Sequence, residues 1–245
     1  MPISFFSFHF PGLKHIHCVF TTRLGGHSTG SHAAANISLE VGDDPQAVQA
    51  NRDEIRQALG FSQWQELRQV HGQEIYYDLD ADFFHGPSLE GDGLCTSRQN
   101  CALVIKTADC QALLLTDVEG RHIAALHCGW RGNAGNFPAN AVRAFCAHYS
   151  VDPARLMVVR GPSLGPGQSE FINFEQEWNP IFRQYYNPIS RSVDLWTLTR
   201  NQLMGAGIPA RNIYSLDLCT ASSDQFFSYR RENITGRQAA LIWKA

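Results

Sequence analysis

The feature that most restricts the fold of this chain is a series of eight short apolar runs, separated by stretches that contain glycine, proline and polar residues. The runs cover residues 16–21, 74–77, 101–105, 112–116, 122–127, 156–161, 213–218 and 239–243. Runs of this length are typical of buried strands. None approaches the roughly 20 consecutive apolar residues that span a bilayer. The pattern therefore predicts a strand-rich protein without a transmembrane helix.

Three helices are predicted between these runs. The first begins with a carboxylate cap and a proline at Asp44 and Pro45, and it ends at Gly60. The second follows Pro138 and carries an apolar stripe that includes Cys146, which is therefore predicted to be a core residue. The third runs from Asp194 to the glycines at positions 205 and 207.

Strands and helices that mix without strict alternation predict an α/β fold of the mixed α+β kind, a layered sandwich of mixed β-sheets flanked by helices. No repeat or long Pro/Gly/Ser-rich linker divides the 245 residues, so residues 1–245 are predicted to form a single domain. Residues of the AVILMFWYC set make up 44% of the chain and charged residues 18%. This balance excludes a disordered chain.

The charge pattern argues against nucleic-acid binding, because 20 Lys and Arg face 23 Asp and Glu and the longest basic run is Arg230-Arg231. The first residues are aromatic and lack the basic region and cleavage site of a signal peptide. The seven cysteines form no CxxC pair, which predicts that most of them are reduced. We therefore expect a cytoplasmic protein that binds neither nucleic acid nor membrane. No motif predicts an oligomeric state.

Four polar segments stand at strand ends beside glycine, where binding and catalytic residues commonly lie. Their sequences are TTRLGGH (21–27), QVHG (69–72), TADC (107–110) and HCGWRG (127–132). Each one alone fits a turn, a helix cap or a surface ion pair. Together they offer His71, Cys110 and His127, a donor set that suits a tetrahedral Zn²⁺ with one open position. The residues alone predict a candidate metal site, with a closed structural site as the alternative.

The ordered motifs resemble the YfiH-like family, also called the multicopper polyphenol oxidase or laccase-domain family. Besides the four segments above, the resemblance includes VGDDP…NR (41–52), GPSLGP (161–166) and FFSYRR…TGR (226–237), in order over almost the whole chain. It implies a layered α/β sandwich and one Zn²⁺ held by His71, Cys110 and His127. It also implies a purine nucleoside phosphorylase that acts on adenosine, inosine, guanosine and methylthioadenosine with phosphate, and that deaminates adenosine.

Two positions depart from the family pattern. Cys128 replaces the alanine of HAGWRG, and because it adjoins His127 it is predicted to fill space rather than to bind the same metal. Ser163 stands where other members often carry Ala or Cys, which bears on substrate preference.

Four residues are candidates for roles beside the metal. Arg23 and Arg131 are predicted to bind phosphate, because a guanidinium group binds it with a fork of hydrogen bonds, and Arg131 is also a catalytic candidate. Asp109, next to Cys110, is predicted to move protons or to orient a ligand. Gln69 is predicted to bind substrate or to orient a ligand in the same way. The structural alternatives are ion pairs and caps.

Three other functions stay open on the sequence. The first is a zinc hydrolase or amidase that edits peptidoglycan precursors. The second is a polyphenol oxidase activity that appears when copper replaces zinc, although only two of the ten histidines fall in the matching motifs. The third is a non-catalytic protein with a structural zinc.

Overall fold

Thirteen strands and six α-helices make up the structure, a computed structural model that describes residues 1–245. The strands are Phe5–Phe8 (β1), Ile16–Thr21 (β2), Gln63–Gln65 (β3), Ile75–Tyr77 (β4), Gly93–Thr96 (β5), Cys101–Thr107 (β6), Gln111–Asp117 (β7), Ile123–Cys128 (β8), Leu156–Arg160 (β9), Tyr186–Asn187 (β10), Ser192–Val193 (β11), Ile213–Ser215 (β12) and Gln238–Lys244 (β13). The helices are Pro45–Leu59 (α1), Trp130–Ala134 (α2), Phe137–Tyr149 (α3), Phe174–Glu177 (α4), Leu195–Gly205 (α5) and Tyr229–Glu232 (α6).

Eleven of the strands form two sheets. The first has the order β1-β2-β13-β6-β3, and the second has the order β12-β9-β7-β8-β5-β4. Both are mixed, because β3 pairs with β6, β4 with β5 and β12 with β9 in parallel, while the other neighbours are antiparallel. The strands β10 and β11 form a separate antiparallel pair.

The core lies in three planes that separate four layers. Apolar residues from both sheets, such as Phe20 and Leu114, pack between the sheets. Ile55 of α1 packs on the outer face of the first sheet. Val142 of α3 and Leu203 of α5 pack on the outer face of the second sheet. The resulting order of helix, sheet, sheet and helix confirms the predicted sandwich of mixed sheets flanked by helices.

The local signals of the sequence reappear at the predicted helices. The side chain of Asp44 accepts a hydrogen bond from the backbone of Gln46 and caps α1, and Gly60 ends α1 with a φ of 78°. Asp194 caps α5 through the backbone of Thr197. Each of the eight apolar runs coincides with all or most of a strand or contains one. None of the helices combines the length and the apolar character needed to cross a membrane.

All seven cysteines are free. Cys128 is buried with Phe137 in the layer between the second sheet and its helices, so the structure confirms that it fills space. Cys146 is half-buried and packs against the edge of the same layer, a more peripheral position than the sequence predicts.

Candidate metal centre and its cavity

The candidate metal-binding residues meet at one edge of the second sheet. Strands β7 and β8 are antiparallel neighbours, and Gln111 pairs with Cys128 at their ends. Cys110 immediately precedes β7, and His127 is the last residue but one of β8, so chain direction alone brings both side chains to this edge. The loop that carries His71 closes over the same edge. Because β7 and β8 are antiparallel, the start of one lies beside the end of the other.

The donor atoms of His71, Cys110 and His127 all lie within 4.8 Å of one another. The two imidazole rings have centroids 4.8 Å apart and an interplanar angle of 63°. His127 is 4% exposed, whereas His71 lies at the surface. These three side chains would hold one ion and leave a position for a further ligand from solvent or substrate.

Asp92, which the sequence analysis missed, connects two of these segments. Its carboxylate lies 2.7 Å from Nδ1 of His127 and accepts hydrogen bonds from the backbone N–H groups of Val70, His71 and Gly72. Burial raises the pKa of Asp92, but the bonds from His127 and from these N–H groups lower it below its ordinary value overall. The ionised carboxylate therefore directs Nε2 of His127 toward the cluster and holds the loop of His71 in place.

The absence of a side chain at Gly129 makes room for the cluster. A Cβ atom at this position would lie 2.7 Å from Nδ1 of His71 and 3.1 Å from Sγ of Cys110. His71 itself has a φ of 58°, an uncommon backbone conformation for a residue other than glycine. The ring of His71 thus packs directly against the backbone of Gly129.

The charges of the cluster fit a cation. Burial and the neighbouring His127 lower the pKa of His71, which leaves its imidazole neutral and free to bind a metal. Burial also lowers the pKa of His127, but Cys110 and Asp92 outweigh it and raise that pKa to about 9. The surroundings of His127 thus stabilise a positive charge, which a metal ion would supply in place of the proton. A soft thiolate with two imidazoles is a donor set that Zn²⁺ accepts and that also suits copper. These residues therefore fit the metal that the resemblance implies.

A cavity of about 630 Å³ opens beside the cluster. Its charged wall residues are five cations and two carboxylates, namely Arg68, Lys106, Arg131, Arg230, Arg237, Glu40 and Asp109. Its apolar wall includes Trp130, Phe171 and Leu195. The excess of cations favours an anionic ligand, and the aromatic wall favours a flat one.

Arg131 and Arg237 line the cavity, and the charge of each lowers the pKa of His71. Arg131 lies in α2, and its guanidinium carbon stacks 4.4 Å from the ring centroid of Trp130. It forms no ion pair within the protein. The guanidinium of Arg237 donates to the carbonyl groups of Thr235 and Gly236, and burial lowers its pKa. Sequence reasoning missed Arg237, although it ends the TGR motif beside a glycine.

Arg23 lies elsewhere. Its guanidinium pairs with Glu232, donates to the carbonyl of Ala33 and stacks 4.7 Å from the ring centroid of Phe227. It does not line the cavity. The structural alternative, an ion pair, therefore describes Arg23 better than the predicted phosphate site.

Asp109 and Gln69 line the cavity, but their polar atoms are engaged. The carboxylate of Asp109 accepts hydrogen bonds from the hydroxyls of Thr220 and Ser228, at 2.6 and 2.7 Å, and from the backbone of Arg230 at 2.6 Å. The amide of Gln69 donates to the carbonyl of Lys106 and accepts from its N–H, both at 2.8 Å. Both side chains hold wall segments in position.

Ser163 is fully buried away from the cavity. Its hydroxyl lies 2.9 Å from both Nε1 of Trp196 and the guanidinium of Arg160. The cavity is lined instead by the next residue, Leu164. Serine at this position therefore acts on internal packing. It does not line the cavity, so it has no direct contact through which it could set substrate preference.

Comparison with known proteins places this site in a family. A family model described as multi-copper polyphenol oxidoreductase laccase matches residues 17–245. The chain belongs to this family, whose members include YfiH-like proteins. A purine nucleoside phosphorylase of Pseudomonas aeruginosa is 33% identical over 245 residues, which cover 95% of each chain. A purine nucleoside phosphorylase of Xylella fastidiosa is 36% identical, with 85% of this chain and 83% of the relative covered.

Solved structures share the fold of this family member. YlmD from Geobacillus stearothermophilus has a TM-score of 0.88 and 29% identity, with 96% of this chain and 94% of that chain covered. YfiH from Bacillus licheniformis has a TM-score of 0.85 and 27% identity, with 94% and 93% covered. The layered sandwich is therefore the fold of the YfiH-like proteins.

Proposed function

We propose that this protein is a purine nucleoside phosphorylase that uses one Zn²⁺ held by His71, Cys110 and His127. The observation that carries the proposal is a single cavity in which this three-donor cluster, two arginines and an aromatic wall lie together. The names of its relatives in Pseudomonas and Xylella support the same activity. A bound Zn²⁺ would supply a Lewis acid that polarises an oxygen or nitrogen atom of the substrate.

The arginines are proposed to bind phosphate. Arg131 has no acidic partner in the protein, and Arg237 lines the same cavity and donates only to backbone carbonyl groups, so both guanidinium groups are available to an anion bound there. Charge-assisted bonds of this kind hold phosphate in a defined orientation against the anomeric carbon. Arg131 is thus the catalytic candidate that contacts substrate.

The aromatic wall is proposed to bind the purine. The rings of Trp130 and Phe171 have centroids 5.6 Å apart and form an edge-to-face pair. Leu195 adds apolar surface to the same wall. A purine that stacks here removes water from the reacting bond.

Asp109 and Gln69 are proposed as positioning residues. Asp109 fixes the segments of Thr220 and Ser228 around the cavity, and its three hydrogen bonds leave it little capacity to move a proton. Gln69 lies two residues before His71, and its side chain binds the strand backbone at Lys106.

The test measures release of free base from adenosine and inosine at varied phosphate concentration, with ribose 1-phosphate quantified in parallel. We expect turnover to require phosphate and to yield equal amounts of base and ribose 1-phosphate. Release of base with free ribose, independent of phosphate, would identify a nucleoside hydrolase instead. Formation of inosine from adenosine in the same assay measures the deaminase activity that the resemblance implies.

Variants separate the phosphate site from the metal site. Replacement of Arg131 or Arg237 by methionine should weaken the apparent affinity for phosphate by about tenfold or more, with metal content unchanged. The matched control is Arg23→Met, which removes an arginine outside the cavity and should keep the phosphate dependence of the wild type. An equal effect of all three replacements would refute the assignment.

The family description also favours a second candidate, oxidation of polyphenols. The structure contains one cluster of three metal-binding side chains, whereas multicopper chemistry uses several copper centres. We therefore propose that such oxidation arises only when copper replaces zinc in this cluster. Protein reconstituted with each metal in turn and assayed with a phenolic substrate tests this: oxidation by the zinc form would contradict it.

A further inference from the structure

Glu40 is the only carboxylate of the cavity wall that keeps an oxygen atom free. The other one, Asp109, already accepts three hydrogen bonds from the protein. Oε2 of Glu40 accepts a hydrogen bond of 2.6 Å from Nζ of Lys106, whereas Oε1 has no partner. The side chain of Glu40 is 34% exposed, so a ligand in the cavity can reach it.

The partner that orients Glu40 is itself fixed. Nζ of Lys106 is buried and lies 3.6 Å from Oε1 of Glu66. Glu66 is completely buried and is held by Arg52 through two bonds of 2.8 and 3.1 Å and by Nε1 of Trp64. This chain of charges anchors one oxygen of Glu40 in the wall and leaves the other without a partner in the protein.

The five cations of the wall are hydrogen-bond donors, since arginine and lysine have no acceptor. A nucleoside presents donors of its own, of which the 2′- and 3′-hydroxyls of ribose are adjacent and point the same way. The free oxygen of the Glu40 carboxylate has lone pairs for these hydroxyls, and an acidic residue accepts a hydrogen bond from the ribose 2′-hydroxyl in dinucleotide sites. Glu40 is the charged acceptor in this cavity that has an oxygen available for such a diol.

We propose that Glu40 binds the ribose diol and makes the cavity selective for ribonucleosides over 2′-deoxyribonucleosides. This inference rests on the proposed function, because it assigns part of the same cavity to the sugar of the substrate.

The position of Glu40 agrees with the chemistry. Burial lowers the pKa of Arg237, while Cys110, Asp109, Tyr229 and Glu40 oppose this effect, so Glu40 acts electrostatically on the candidate phosphate-binding arginine. Phosphate attacks C1′ of the ribose, which is bonded to the carbon that bears the 2′-hydroxyl. The groups that bind phosphate and diol must therefore lie in the same cavity, as Arg237 and Glu40 do.

Equilibrium dialysis of the zinc-loaded protein with adenosine, 2′-deoxyadenosine and inosine, without phosphate, tests the proposal, and chromatography of both compartments checks that the nucleosides stay intact. We expect the wild type to bind adenosine about tenfold or more tightly than 2′-deoxyadenosine, because the missing hydroxyl leaves a charged acceptor unpaired. The variant Glu40→Ala should bind both nucleosides equally, at the level of 2′-deoxyadenosine in the wild type. Glu40→Gln, which keeps the shape and one acceptor oxygen, should show an intermediate ratio.

The matched control is Glu119→Ala, because Glu119 has a similar exposure of 38% and also pairs with cations, Arg121 and Arg155, away from the cavity. It should keep the wild-type ratio, and thermal unfolding with metal analysis checks that every variant is folded and loaded.

Equal binding of both nucleosides by the wild type overturns the proposal. So does a Glu40→Ala variant that keeps the ribose preference and changes only the ratio of adenosine to inosine, since Glu40 would then contact the base. Failure of the proposed function is a separate result, the absence of phosphate-dependent base release by the wild type, and the binding ratios do not depend on it.

Discussion

Replacement of Gly129 by alanine is the sharpest test of the metal centre, because it adds one carbon atom at a known distance from two proposed ligands. Gly129 has a φ of −78° and a ψ of 176°, which alanine adopts without strain. The added Cβ would lie 2.7 Å from Nδ1 of His71 and 3.1 Å from Sγ of Cys110. Both separations are well below the ~3.5 Å at which non-bonded carbon atoms attract one another.

The size of the effect follows from where the overlap is relieved. Added carbon atoms in a closely packed site cost about 1–3 kcal/mol. Because His71 lies on an exposed loop, its ring moves more easily than the two strands, so the cost falls on the metal-bound state. A loss of about 1–3 kcal/mol corresponds to roughly 5- to 150-fold weaker metal binding, with little change in the stability of the metal-free fold.

The assay is competition for Zn²⁺ with a chromophoric chelator, together with thermal unfolding of the metal-free protein. The matched control is Gly205→Ala at the end of α5, where a Cβ meets no atom within 4 Å. It should leave zinc affinity unchanged and should not lower stability. Wild-type zinc affinity in Gly129→Ala would show that His71 and Cys110 do not converge on one ion at this position.

Three further outcomes are expected. Asp92→Asn should weaken zinc binding about 10- to 100-fold, measured by the same competition, because the charge that orients His127 is lost. Cys110→Ala should lose most of its zinc in metal analysis, while Cys146→Ala should keep it and lose on the order of 1 kcal/mol of packing energy. Burial raises the pKa of Asp78, but hydrogen bonds from Ser97, Tyr149 and Thr96 lower it overall, so its ionised form stabilises the fold above the unfolded pKa. In urea titrations, Asp78→Asn should therefore be less stable than the wild type at neutral pH, and the difference should shrink below about pH 4.

The elements that the sequence predicts well are those with local signals. Helix α1 begins and ends as predicted because Asp44, Pro45 and Gly60 act on their own backbone. Helix α2 escaped prediction because it has only five residues and lies between Gly129 and Gly135, a composition that resembles a loop. Strand β5 also escaped, because its four residues begin with glycine and it owes its extended form to pairing with β8.

The same distinction applies to the candidate site. Motifs single out His71, Cys110 and His127 one by one, and the structure brings them together. Asp92 carries no motif, because an acid between two glycines resembles a turn until its four partners are known. Arg23 and Arg237 each lie close to glycine in the sequence, so their local sequence does not distinguish them. The contact of Arg23 with Glu232, which is distant in sequence, does distinguish them.

The placement of the cluster has a physical origin in the order of strands in the second sheet. Strand β8 lies between β7 and β5 and is antiparallel to both. The start of β7, the end of β8 and the start of β5 therefore meet at one edge, which puts Cys110, His127 and Asp92 side by side. His71 is the one proposed ligand outside this frame, and it reaches the edge because the carboxylate of Asp92 binds its backbone and a glycine opposite leaves space for its ring. Two ligands are thus fixed by the sheet and the third by a single carboxylate, so loss of Asp92 should affect the position of His71 more than that of Cys110.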